Sequence, residues 1–425
     1  MSEMITLCDG VDAIYIKSNK FKTTRISVNF FTKLSGETIS ASALLPALLT
    51  TSSADYPDYR RLQLKLAGLY GAGLSASTAK VGDALMTSLS ITGVDDKFLT
   101  DSVCAQYAGL LSDMIFRPNL DEKGEFKQPD IDREKRLLTE SIQGELNNKR
   151  LYALSRAGEE MFKGEVYGTP HYGTIEGAAA VSAQDIKTAW ERLLSTAYVR
   201  ISVVSATDPA PIFEVFKEEF LERGRTPEVP AALNICEKKS NVREVSEAID
   251  VTQGKLVMMF TTGHGGDCIK TAALFIMCDL FGGGPYSRLF LNVREKLSLC
   301  YYCASRLNCY KGILVVDSGV EQENAQAAKE EILRQLDIIK QGDFEEADLE
   351  TSKRAKIDLI RTLSDFASEI ENFYISQMFG TNVITPDEFI AAVSAVTKED
   401  IIEAAQGVDL ALSYMLTPEK GGKDE

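Results

Sequence analysis

Two stretches of this chain repeat one plan, and that duplication limits the fold more than any other feature. Arg61-Leu62 recurs as Arg288-Leu289 at an offset of 227, and Met161-Phe162 recurs as Met378-Phe379 at 217. Val181-Ser182-Ala183-Gln184-Asp185-Ile186 returns as Val396-Thr397-Lys398-Glu399-Asp400-Ile401 at 215. The offset shrinks because the first half carries an extra loop, Arg117 to Asp130, rich in Pro, Gly and charge. Ser182 and Thr397 each stand three residues before an Asp, the pattern of a capped helix start. A duplication of this size predicts a pseudo-twofold molecule that works between its halves. The 425 residues divide into domains at 1–220 and 246–425, each long enough to bury its own core, with a linker at 221–245 containing Pro227 and Pro230.

The pattern within each half alternates between the strand and helix periods. Thr24–Thr32 alternates apolar and polar residues as a half-buried strand does, and Ala41–Thr51 and Tyr59–Tyr70 read as helices, the second ended by Gly68, Gly71 and Gly73. Strands follow at Leu74–Ala79 and Leu85–Thr92, then helices over Asp96–Ile115 and Asp132–Phe162, with Leu138, Ile142, Leu146 and Leu154 on one stripe, and a strand at Tyr198–Ala206. The second half predicts strands at Lys255–Thr262, Tyr301–Arg306, Gly312–Ser318 and Leu410–Leu416, with helices at Glu323–Lys340 and Ala347–Phe379. Strands with helices collected between them, twice over, predict an α+β protein. It has two homologous sandwich domains, each a mainly antiparallel sheet with helices packed on one face.

Composition excludes several partners. Lys and Arg number 46 against 62 Asp and Glu, a formal charge of −16 that repels a polyanion, so nucleic acid is not expected. No apolar stretch reaches the roughly 18 residues of a membrane span, and residues 1–29 lack a basic segment followed by an apolar one. The expectation is a cytoplasmic protein without a membrane partner. Its eight cysteines are then expected to be reduced and buried.

Few residues offer chemistry. The only histidines, His171 and His264, fall in glycine-containing loops, and His264 has Cys268 four residues on. Cys300 and Cys303 have the spacing of a redox or zinc pair, but on a regular strand an odd offset sends their side chains to opposite faces. Gly282-Gly283-Gly284 lacks the Lys-Ser/Thr of a nucleotide loop and also reads as a helix terminator before Pro285. Trp190, beside Leu193 and Leu194, reads as core.

One set of residues carries a resemblance. A strand and apolar helix are followed by a long helix bearing Leu138-Thr139-Glu140-Ser141-Ile142. The second half contains Gly282-Gly283-Gly284-Pro285-Tyr286-Ser287-Arg288-Leu289-Phe290, then Val293-Arg294-Glu295-Lys296 and Tyr301. With Tyr167-Gly168 and the two capped helices, this chain resembles the M16 family of inverted zinc peptidases (insulinase, pitrilysin and mitochondrial processing peptidase) over its whole length. The resemblance implies domains of the family's sandwich type.

Active members carry His-x-x-Glu-His on the first helix, two imidazoles at i and i+4 for zinc and a Glu as general base. The matching stretch here is Ala43-Leu44-Leu45-Pro46-Ala47, with Ala43 and Ala47 at the histidine positions and Pro46 at the base. None of the three binds a metal or moves a proton. Pro46 also lacks a backbone donor, so the helix is expected to begin late or kink there. The family's third ligand matches Glu140, which also reads as a solvated or helix-paired carboxylate. No metal or other cofactor is therefore expected in this chain.

In the family, a zinc-free half supplies an Arg and a Tyr that hold the peptide. Arg294 and Tyr301 match that pair, and the Gly282–Gly284 loop lies near the family's chamber. The plainer readings are a surface ion pair with Glu295 or Glu323 for Arg294 and a strand core position for Tyr301. The resemblance is to short bacterial members, a non-catalytic subunit whose sister chain carries the intact His-x-x-Glu-His and the zinc. It implies an extended peptide as substrate, a homodimer in the sister's absence and no activity alone. Alternatives are an accessory or structural M16-like protein, for example one associated with modification of a translation factor, or a self-sufficient zinc endopeptidase.

Overall fold

A computed structural model describes residues 2–229, 233–266, 271–380 and 383–419. The first half runs β1 (Ser2–Cys8), β2 (Val11–Lys17), β3 (Thr23–Lys33), α1 (Ile39–Thr51), α2 (Tyr59–Gly68), β4 (Gly73–Val81) and β5 (Ala84–Val94). It continues through α3 (Cys104–Phe116), α4 (Gln128–Glu145), α5 (Lys149–Met161), α6 (Ile175–Ala180), α7 (Ala183–Thr196), β6 (Tyr198–Ser205) and α8 (Ala210–Leu221). The second half begins with β7 (Arg243–Ile249), β8 (Gly254–Thr261) and α9 (Ala272–Gly282), followed by a π-helical turn at Phe290–Lys296. Then come β9 (Cys300–Asn308), β10 (Ile313–Val320), α10 (Ala325–Lys340), α11 (Glu346–Leu363), α12 (Ala367–Ile375), α13 (Pro386–Ala395), α14 (Lys398–Gln406) and β11 (Asp409–Pro418).

The duplication is explicit in the strand orders, β1-β2-β6-β3-β5-β4 in one sheet and β7-β11-β8-β10-β9 in the other. Without β1 the two orders correspond strand for strand. Both are mixed in the same place, since β2–β6 and β7–β11 are the parallel pairs and the remaining neighbours are antiparallel. The two capped helix starts agree as well. Ser182 accepts from Asp185 N and Thr397 from Asp400 N, each with the reciprocal carboxylate bond of a capping box.

Alternation along β3 sorts its side chains. Ile26, Val28 and Phe30 join α1, α3, α7 and α8 in one apolar core, while Ser27 and Asn29 are buried on the opposite face with Arg200 and Ser202 of β6. Trp190 packs at that core, its Nε1 donating to Ile115 O at 2.9 Å. In the second sheet Leu256, Met258 and Phe260 of β8 face α9, α10, α11, α13 and α14. Val257 and Met259 face the other way, onto Ala153, Ala157 and Met161 of α5. Helices therefore cover both faces of this sheet, where the sequence predicted one.

Two compact units result, and each includes a piece of the other half's sequence. Unit 1 holds residues 1–143, 169–232 and 365–372; unit 2 holds 144–168, 233–364 and 373–425. The exchange depends on two helix breaks that periodicity missed. The helix predicted over Asp132–Phe162 is two, with Asn148 capping the second by accepting from Leu151 N at 3.2 Å. The predicted stripe ends there, since Leu146 is exposed and Ala153, Ala157 and Met161 are the buried positions. Ala347–Phe379 likewise divides into α11 and α12. Asp96–Ile115 opens with a separate 3-10 turn, and the end of the predicted linker, from Arg243, is strand β7.

Candidate functional site

Helix α1 does not begin late. It starts at Ile39 and runs through a buried Pro46 to Thr51. Without an N–H at Pro46 the Ser42 carbonyl loses its usual donor. The helix persists because Leu44, Leu45, Leu48 and Leu49 are all buried in the core, each such side chain contributing about 1.5–3 kcal/mol. Its N-terminal end is gripped by α6 and the turn before it. A Cβ on Gly173 (φ +76°) would strike the Ser40 side chain, and one on Gly177 would come to 2.5 Å of Ser40 Oγ.

Ala43 and Ala47 are half-buried on this helix and present methyl groups. Glu140 lies on α4 with 56% of its side chain exposed, paired to Arg136 at 3.0 Å. This donor set does not fit a zinc ion: two methyls, an imino ring and one solvated carboxylate fall short of about three protein ligands. Among the described residues no three His, Cys, Asp or Glu side chains form a metal-holding group. His171 packs edge-on against Tyr172, and His264 is exposed. Cys268 lies outside the described residues, so its pairing with His264 does too.

Unit 2 carries the other candidates. Helix α9 ends at Gly282, where a Cβ would come to 2.6 Å of Ser305 N; one on Gly283 would strike Asp279. Asp279 is buried, paired with Lys356 at 3.2 Å and accepting from Tyr286 Oη at 2.7 Å. The three-glycine loop is thus explained locally by close packing as well as helix termination. The π-helical turn then presents Arg294, whose guanidinium lies 4.6 Å from the Phe290 ring centroid and 3.6 Å from Glu295 Oε1. Extra backbone per turn is the usual mark of such segments, which recur at functional sites.

The chain leaves this turn through Ser298, at φ +52°, with Leu299 N donating to Val293 O at 3.0 Å. Strand β9 then begins with a bulge. Cys300 pairs with Val320 and Tyr302 with Gly319, so Tyr301 is the extra residue and is thrown outward. It is 62% exposed, not a strand core position. A hydrogen bond to the Glu321 carboxylate raises its phenol above the ordinary value. Gly319 permits the arrangement, since a Cβ there would come to 2.6 Å of the Tyr302 ring. Arg150 covers that ring at 4.4 Å and pairs with Asp317, which Arg306 also reaches at 2.8 Å. Nothing local in the sequence marks Arg150 or Asp317, 167 positions apart, as partners.

The fold defines a class: a duplicated pair of peptidase-type sandwiches whose motif helix supplies no metal ligand. Comparison with known proteins gives the same class. Residues 180–356 match the family model described as the peptidase M16 inactive domain. The chain is 30% identical over 423 residues to YmfF of Bacillus subtilis, described as a probable inactive metalloprotease, covering 99% of each chain. A conserved protein from Enterococcus faecalis has a TM-score of 0.91 at 28% identity, over 99% of this chain and 100% of that one. A peptidase M16 inactive domain from Pseudomonas fluorescens shares the fold at TM-score 0.79 and 14% identity, over the full length of both. The chain belongs to the M16 peptidase family, as an inactive metalloprotease homologue. No helix among the described residues is long and apolar enough to cross a membrane.

Proposed function

We propose that this chain is the non-catalytic subunit of a two-chain zinc peptidase, holding an extended peptide for a sister chain that carries His-x-x-Glu-His and the zinc. The observation that carries the reading is an asymmetry between the motifs. Helix α1 keeps its place with Ala43, Pro46 and Ala47 at the motif positions, while the second half carries a half-buried Arg294 on the π-helical turn and an exposed Tyr301 on the bulge. A guanidinium and a phenol held at a peptide carbonyl stabilise negative charge that develops there. Neither group needs a metal in its own chain. Cytoplasmic residence and a homodimer in the sister's absence belong to the same proposal.

The test is titration of this chain into a family member with the intact motif, with hydrolysis of an unfolded peptide as readout. A rate that rises and saturates at equimolar addition supports the proposal. No gain over the sister alone contradicts it, and activity of this chain by itself would favour a self-sufficient enzyme.

A further inference from the structure

The bulge that exposes Tyr301 also changes the relation between Cys300 and Cys303. On a regular strand the two would face opposite ways, but here Cys300 pairs with Val320 and Cys303 with Ser318. Val320 and Ser318 are two residues apart on β10 and share a face, so the cysteines share it too. Both lie in the apolar cluster with Leu289, Val293 and Val320. Two strand rises separate such positions by about 6.6 Å, within the range of roughly 4.4–6.8 Å between the Cα atoms of disulfide-linked residues. Both thiols are free.

The electrostatics divide the roles. The Cys303 thiol donates to Cys300 and draws it below the ordinary thiol value; burial opposes this, and Ser318 and Arg294 add to it. Cys303 is pushed upward by the same hydrogen bond and by burial. Cys104 and Cys278 donate instead to hydroxyls, those of Thr24 and Ser305. Burial raises Cys104 and Cys278 to about 11.

We propose that Cys300 and Cys303 are a reversible dithiol that small-molecule disulfides oxidise, and that closing it resets the bulge presenting Tyr301. The Cys300 thiolate attacks one sulfur of R–S–S–R, forming Cys300–S–S–R and releasing R–S⁻. Cys303 then loses its proton, which passes to a released R–S⁻, and its sulfur attacks Cys300 to expel the second R–S⁻. The protein loses two electrons and two protons, and one R–S–S–R becomes two R–SH. The effect on peptide holding rests on the function proposed above; the closure of the pair does not.

The experiment equilibrates the full chain with mixtures of oxidised and reduced glutathione, blocks remaining thiols, and maps cysteines by mass spectrometry. The expected result is a peptide containing Cys300 and Cys303 lighter by two hydrogens in a fraction that follows the glutathione ratio, while Cys104 and Cys278 stay blockable after denaturation. Cys303→Ser should stop at a glutathione adduct on Cys300, and Cys300→Ser should leave Cys303 unmodified. Hydrogen exchange of the Tyr301 segment should change on closure. Both thiols remaining blockable at every ratio, or an adduct on wild-type Cys300 that never resolves, would overturn the proposal. A closed pair with unchanged exchange would overturn its second half. Because the mass readout needs no peptide substrate, this idea and the proposed function fail separately.

Discussion

Glu371 accepts a hydrogen bond from Arg25 Nε at 2.6 Å although 346 positions separate them, and the Glu371 side chain is 3% exposed. The same carboxylate takes the Ser27 hydroxyl and the Asn29 amide, so a residue from the second half closes the polar face of β3. Glu371→Ala leaves these groups buried without their acceptor and is expected to cost about 3–5 kcal/mol. Glu371→Gln, which keeps one acceptor oxygen, should cost less. Urea unfolding midpoints measure both, and an unchanged midpoint for the alanine variant contradicts the assigned contact.

Acid should weaken unit 2 through Glu247. Burial alone would raise its pKa, but the hydroxyls of Tyr152 and Tyr414, at 2.6 and 2.8 Å, and the Arg156 guanidinium at 3.1 Å hold it below the ordinary value. A folded-state pKa below the unfolded value of about 4.3 means that the carboxylate stabilises the fold above that pH. The contribution disappears as pH falls through the depressed folded value. Glu247→Gln should therefore lower stability at pH 7 and converge with the wild type in acid. Parallel stability curves down to strong acid would contradict the assignment.

Pro46→Ala tests what helix α1 gives up. Restoring a donor and a better helix former is worth about 3 kcal/mol, while trimming two buried methylenes loses about 1.6 kcal/mol. The balance is a gain of roughly 1 kcal/mol, readable as a higher unfolding midpoint. Zinc measured by atomic absorption should stay far below one per chain in both proteins, because Ala43 and Ala47 still offer no ligand. Stoichiometric zinc in either would contradict the site as described.

The sheets and most element centres were legible because each half alternates at period two and then at the helical period, as at Thr23–Lys33 and Ala183–Thr196. The missing ligands at Ala43, Pro46 and Ala47 needed no coordinates. The break at Asn148 was hidden because apolar spacing continues across it, although the Asn itself was a capping signal. The bulge at Tyr301 was not legible at all. It depends on Gly319 lying opposite, on a strand whose register only pairing fixes. Sequence spacing consequently separated Cys300 from Cys303 and offered Tyr301 a core alternative, while the fold unites the first pair and exposes the tyrosine.

In the proposed function this chain holds substrate and a sister chain lends the metal. The most direct test compares peptide hydrolysis by a His-x-x-Glu-His sister chain alone, with the wild type, and with Arg294→Ala or Tyr301→Phe. The prediction is acceleration by the wild type that either substitution cuts by about 10- to 100-fold, the loss of a transition-state donor being worth up to roughly 10³, with association unchanged. Equal acceleration by wild type and both variants would contradict it.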